Sequence, residues 1–195
     1  GMPLIKKIYL AQQNESTRRW TTIAALERVN DGYHLFFTNG VATTNSFSHE
    51  LFKMDVYRTY YFRDLIPLFS NRIPSRQRLD YARMSSWLNM SGDESTFEKL
   101  AKFGLITGTD GILFYPEPNV SNGRLELEFF VHGIRHINPA ADPACQRLQV
   151  GERLKLMLDV QNAADTNAVA IRSEREAMLL GYVPAFYASD VGSML

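Results

Sequence analysis

Two prolines, two asparagines and a glycine fall within Pro116-Glu117-Pro118-Asn119-Val120-Ser121-Asn122-Gly123, and this stretch constrains the fold more than any other. Proline lacks a backbone N–H and fixes φ, so neither a helix nor a central strand can run through it. Asn-Gly adds a turn signal. A chain of 195 residues interrupted there is expected to form two small domains, 1–118 and 119–195.

Upstream, the pattern runs from strands to helices. Ile8 to Gln12 is a short apolar strand candidate, and from Trp20 to Leu26 the residues Trp20, Thr22, Ala24 and Leu26 alternate onto one face. Asn30-Asp31-Gly32 turns the chain into Tyr33 to Thr38, and Asn39-Gly40 supplies a further turn. From about Asp64 the period changes to that of helices. Pro74-Ser75 is expected to open one in which Tyr81, Met84 and Leu88 share a face. Asp93 is expected to cap the next, with Phe97, Leu100 and Ala101 buried and Gly104 ending it.

Downstream the reading is β again. Leu125, Leu127, Phe129 and Val131 alternate with Glu126, Glu128, Phe130 and His132. Leu154, Leu156 and Leu158 alternate in a second strand after the Gly151-Glu152 turn. Ala168 to Ile171 and Leu179 to Val183 make two more, and Pro184 opens a helix with Tyr187, Val191 and Leu195 on one face. The class is therefore α+β: an amino-terminal antiparallel sheet with helices, then a small barrel-like or rolled β-module with a terminal helix.

Charge narrows the function. Residues 1–118 carry 14 Lys and Arg against 12 Asp and Glu, while 119–195 carry 7 against 9, so the whole chain is neutral. Broad nucleic-acid surfaces are basic, because phosphate neutralisation drives their affinity. Any nucleic-acid contact here is expected to use a few local groups. The single cysteine, Cys145, allows no internal disulfide and fits a reducing compartment, with the cytoplasm as default. No apolar run approaches the roughly 20 residues of a membrane helix.

Three downstream stretches carry a family resemblance. They are Val131-His132-Gly133-Ile134-Arg135-His136, then Val150-Gly151-Glu152-Arg153-Leu154-Lys155-Leu156, then Asn162-Ala163-Ala164-Asp165-Thr166-Asn167-Ala168-Val169-Ala170-Ile171 with Leu180-Gly181-Tyr182-Val183-Pro184. In this order and spacing they resemble the HIRAN family over roughly Leu125 to Leu195, whose pattern includes Asn-Pro-x-Asp-x-Asn-Ala and Gly-Tyr-Leu/Val-Pro. HIRAN domains occur on helicase-like and nuclease proteins and alone in bacteria. The resemblance implies DNA binding, in repair settings, at single-stranded 3′-hydroxyl ends or damaged DNA. It also implies that Arg135, His136 and Asp165 line the end-binding pocket. A carboxylate at Asp165 would accept a hydrogen bond from a terminal hydroxyl and repel a phosphate. Arg135 would fork onto the last phosphodiester, and His136 would stack on a base or bond the backbone. Ala164 and Ala185 stand where a characterised member carries a tyrosine and a basic residue.

A fainter likeness lies upstream. Leu65-Ile66-Pro67-Leu68-Phe69-Ser70-Asn71-Arg72-Ile73-Pro74 and Phe97 to Gly104 resemble the amino-terminal region of HipA-type toxin kinases. No kinase signatures follow, so that resemblance implies a protein-partner-binding or scaffold role through residues 1–118.

Each candidate has a plainer competing reading. Asp165 between Asn162 and Asn167 fits an Asx turn, and Arg135 fits an exposed strand end. Arg72, Arg76, Arg78 and Arg83 form the densest basic cluster, either a solvated helix face or a phosphate contact. Trp20 and Trp87 read as core. The cluster of Tyr57, Tyr60, Tyr61 and Phe62 reads as an aromatic hinge between sheet and helices. His132 and His136 lack a Cys or carboxylate to complete a metal site, Gly104 to Gly111 lacks the Lys-Ser/Thr of a phosphate loop, and Cys145 lies in no catalytic signature. Neither catalysis nor a cofactor is expected.

Overall fold

The structure, a computed structural model, describes residues 5–43, 53–106, 110–133, 139–163 and 165–195. It divides into two compact units, Gly1–Glu117 and Pro118–Leu195. No helix among the described residues is long and apolar enough to cross a membrane.

The first unit is an antiparallel sheet with short helices. Its strands are β1 (Lys7–Gln13), β2 (Trp20–Val29), β3 (Gly32–Phe37), β4 (Tyr60–Phe62) and β5 (Ile112–Pro116), in the order β4-β3-β2-β1-β5. Asn14 starts the turn between β1 and β2, its Oδ1 accepting the N–H groups of Ser16 and Thr17 at 2.9 Å. Trp20, Thr22, Ala24 and Leu26 alternate along β2, and Ile23 and Ala25 from the opposite face are buried as fully as Ala24 and Leu26, so the strand's centre is covered on both sides. A register shift in β1 between Leu10 and Ala11 accompanies this stretch. The cluster around Tyr60 contributes strand β4 instead of a hinge, pairing Tyr33 with Phe62. Gly32 is required there, because a Cβ would collide with the Phe62 carbonyl oxygen.

Between β3 and β5 the chain forms α1 (Gly40–Thr43), α2 (Pro67–Ser70), α3 (Tyr81–Trp87) and α4 (Thr96–Phe103). Ser95, and not Asp93, caps α4. Its Oγ accepts the Glu98 N–H at 3.2 Å while Glu98 Oε2 accepts the Ser95 N–H at 3.2 Å, so two orphan donors are satisfied reciprocally. Gly104 follows α4, and a Cβ there would meet Phe114 Cβ at 2.5 Å. The helix end thus lies against β5, where the Gly104 carbonyl accepts the Phe114 N–H at 2.9 Å. Phe97, Leu100 and Ala101 join Ile8, Leu10, Leu35, Phe69 and Phe114 in one core. A second cluster unites Met84, Leu88 and Phe103. Buried Lys102 donates to the Leu88 carbonyl at 3.0 Å, satisfying an acceptor at the end of α3.

α3 begins at Tyr81, later than Pro74-Ser75 predicts, and turns occupy the segment before it. Trp87 is 61% exposed with the Arg83 guanidinium 5.2 Å from its ring, so it is not core.

The second unit opens with the hairpin β6 (Asn119–Ser121) and β7 (Arg124–Glu126), turned by Asn122 and Gly123 at φ 50° and 71°. Its larger sheet comprises β8 (His132–Gly133), β9 (Leu154–Leu158), β10 (Val169–Ser173) and β11 (Leu179–Tyr182), in the order β8-β11-β10-β9. α5 (Ala141–Gln146) and α6 (Ala185–Ser193) complete it. The long alternating strand from Leu125 is shorter than predicted: 127–131 carry no strand pairing. No closed barrel forms among the described residues; the sheet is open. Val169, Ile171, Leu180, Val183, Tyr187 and Val191 are buried, whereas Leu195, expected on the same helix face, is exposed.

Candidate nucleic-acid interface

The loop from β9 to β10 is held by its own polar side chains. Asp159 follows β9 directly, its N–H donating to the Ala168 carbonyl at 2.8 Å. The Asn162 N–H donates to the Asp159 carbonyl at 3.1 Å, and Asn162 Oδ1 accepts the Asp165 N–H at 3.1 Å. Asp165 Oδ1 then accepts the Asn167 N–H at 2.8 Å, while the Asp165 carbonyl accepts the Ala168 N–H at 3.1 Å. Asn162 and Asp165 therefore build consecutive side-chain-closed turns, because each short side chain reaches a backbone N–H two or three residues on, the second of them that of Asn167.

A second layer joins this loop to β11. The Tyr182 hydroxyl donates to Asp159 Oδ2 at 2.8 Å, and the Asn162 amide approaches the same oxygen at 3.4 Å. The bond to Asp159, followed by burial and the nearby negative charge, holds the Tyr182 phenol protonated above the usual tyrosine range, while a bond from Asn162 opposes the shift. Sequence reading singles out neither Asp159 nor its pairing; the residue types alone give no sign that two groups 23 positions apart share a proton bridge.

A consequence is measurable. Because the folded-state pKa is raised, the stability from this bond is present in full below the ordinary phenol pKa of about 10 and is lost as pH rises through the folded value. Ultraviolet phenolate titration, differenced against Tyr182→Phe, is expected to place this tyrosine above the ordinary phenol pKa of about 10. Asp159→Asn is expected to bring it back down.

Of the sequence-predicted contacts, Asp165 sits half-buried in this loop. Arg135 and His136 lie outside the described residues, as does Ala164. Of the basic cluster in the first unit, Arg83 lies over the Trp87 ring and the other three arginines make polar contacts within that unit. Arg72 pairs with Asp110 and donates to the Ile112 carbonyl at 3.2 Å. Arg78 pairs with Asp80 at 2.6 Å, and Arg76 reaches the Gly92 carbonyl at 3.5 Å. These contacts favour the structural reading of that cluster over phosphate contact. Burial and the charge of Asp142 push the Cys145 thiol up, away from the nucleophilic thiolate.

Residues 125–195 match the model of the HIRAN domain. The HIRAN-like segment spans the larger sheet, both turns of the β9–β10 loop and α6. HIRAN is a nucleic-acid-binding domain, so the match is consistent with DNA binding. The HipA-like reading of residues 1–118 gains no support from comparison with known proteins. No curated protein and no solved structure matches the chain.

Proposed function

We propose that the chain is a non-catalytic nucleic-acid-binding protein whose HIRAN-like segment recognises the 3′-hydroxyl end of single-stranded DNA, including ends exposed by damage. The observation that carries the reading is Asp165. Its Oδ1 is spent on the loop, whereas Oδ2 accepts no hydrogen bond among the described residues, leaving an acceptor on a hydrogen-bonded turn within the matched segment. In this reading the terminal hydroxyl donates to that oxygen, Arg135 holds the adjoining phosphodiester, and His136 contacts the last base or the backbone. An anionic acceptor favours a 3′-hydroxyl and repels a 3′-phosphate.

Fluorescence anisotropy with labelled single strands ending in either group tests this. The hydroxyl end is expected to bind at least tenfold more tightly, about the worth of one hydrogen bond to a charged group. Only one or two phosphates are engaged in this scheme. The logarithm of affinity should therefore fall with the logarithm of salt at a slope of about −0.7 to −1.4. Equal affinity for the two ends, or no binding to either, would end the proposal.

A further inference from the structure

The outer edge of the second unit's sheet does not look like the edge of a monomer. β9 lies at the end of the order β8-β11-β10-β9, so one row of its backbone groups has no strand beside it among the described residues. Its side chains are exposed along the whole strand: Leu154 37%, Leu156 40%, Met157 47% and Leu158 48%. Monomers usually blunt such an edge, because an exposed apolar strand is a template for another. Lys155 is the one charged residue on it, and that ammonium lies 3.4 Å from Glu174 of the same chain.

The phase of the strand fixes which groups are available. The Asp159 N–H donates to Ala168, and Leu158 pairs with Val169 in the ladder to β10. In an antiparallel ladder, bonded and non-bonded pairs alternate. Residues 155, 157 and 159 therefore turn their backbone groups toward β10, and Leu154, Leu156 and Leu158 turn theirs outward.

The sequence of the strand then selects the occupant. Arg153-Leu154-Lys155-Leu156-Met157-Leu158-Asp159 is self-complementary about Leu156. Placed antiparallel to a second copy with a twofold axis at Leu156, it sets Leu156 opposite Leu156, Leu154 opposite Leu158, and Lys155 opposite Met157. Arg153 of each copy comes opposite Asp159 of the other, on the same sheet face. Outward-facing backbone meets outward-facing backbone, leucine meets leucine, both ends carry opposite charges, and no like charges face each other. We propose that β9 pairs with β9 of a second copy of this chain, joining two four-stranded sheets into one across a twofold axis. This inference is independent of nucleic-acid binding.

Light scattering and sedimentation of the full chain over a range of concentrations read the association directly. The short strand interface should give a concentration-dependent dimer, since contacts this small are weak. Leu156→Lys places like charges at the axis and is expected to weaken the dimer at least tenfold, which is about the effect of opposed like charges with lost apolar contact. Arg153→Glu, at an exposed site before the strand, is expected to weaken it as well, by setting a carboxylate against Asp159 of the second copy. Should Leu156→Lys lose its circular dichroism signal, Arg153→Glu decides. Amide hydrogen exchange gives a readout specific to the register: protection at Leu154, Leu156 and Leu158 should rise with protein concentration. A chain that stays monomeric throughout, or a dimer indifferent to both substitutions and to exchange at these amides, overturns the proposal.

Discussion

Tyr187→Ala is expected to destabilise the second unit more than any polar substitution in it, to the point of unfolding it if its stability lies at the low end for its size. Tyr187 is fully buried on α6, with its ring 6.2 Å from Phe129 and 5.0 Å from Phe186. Truncating a buried aromatic to alanine removes its transfer free energy and leaves a cavity, together costing about 3–5 kcal/mol. A domain the size of Pro118–Leu195 has on the order of 4–12 kcal/mol in total. The loss therefore takes about a quarter of the stability at best and all of it at worst. Open sheets have few layers of packing to share such a loss. Thermal denaturation followed by near-ultraviolet circular dichroism should show the Tm of this unit falling by at least about 12 °C, at roughly 4 °C or more per kcal/mol. Tyr187→Phe keeps the ring and should cost only about 1 kcal/mol. Comparable shifts for the two substitutions would mean that the hydroxyl, and not the packed ring, holds α6 in place.

What the sequence makes legible is periodicity and turn chemistry; what it conceals is coverage and long-range pairing. The buried face of α4 reads directly from Phe97, Leu100 and Ala101 because a helix must repeat its apolar side every three or four residues. The strand at Leu154 to Leu158 reads just as directly. Alternation, however, states only that the leucines share a face, not how fully it is covered, and here they stay exposed although Leu158 lies beside Gly192 of α6. β5 escapes the reading for the opposite reason. Ile112, Leu113, Phe114 and Tyr115 are all buried, so the strand does not alternate, and β1 is its neighbour some hundred positions back along the chain. α5 is hidden by Pro143, which is tolerated because it falls in the first turn, where its missing N–H has no intrahelical partner.

The candidate site divides in the same way. Asn162, Asp165 and Asn167 read as turn formers on composition alone, and each does close a turn or donate within one. Asp159 reads as an ordinary strand-end carboxylate until Tyr182 is seen to bond it. The twofold character of β9 lies in plain view in the sequence, yet it acquires meaning only once β9 is known to be the outermost strand. A palindrome inside a sheet would have no second copy to meet.

Asp165 closes a turn and, in the proposed function, would also meet the DNA end; alanine substitution alone would confuse the two, and a pair of substitutions separates them. Asp165→Asn keeps an acceptor oxygen for the Asn167 N–H, so the loop should hold, but it removes the charge that the proposed function sets against the DNA end. A hydrogen bond to a charged group is worth about 1.5–3 kcal/mol, against about 1 kcal/mol for a neutral pair. Asp165→Asn is therefore expected to bring the affinities for 3′-hydroxyl and 3′-phosphate ends to within a few-fold of each other, chiefly by relieving repulsion of the phosphate, with thermal stability almost unchanged. Asp165→Ala removes the turn acceptor as well, leaves the Asn167 N–H without its partner, and should lower stability by about 1 kcal/mol besides. Arg135→Ala acts on a different axis. Losing one charge-assisted phosphate contact should weaken both ends alike by about tenfold or more and flatten the salt slope by about 0.7. If Asp165→Asn leaves end discrimination intact while Asp165→Ala abolishes it, the carboxylate serves the turn and not the ligand. The 3′-hydroxyl would then need another acceptor, and the loop at Asp165 would be a structural element alone.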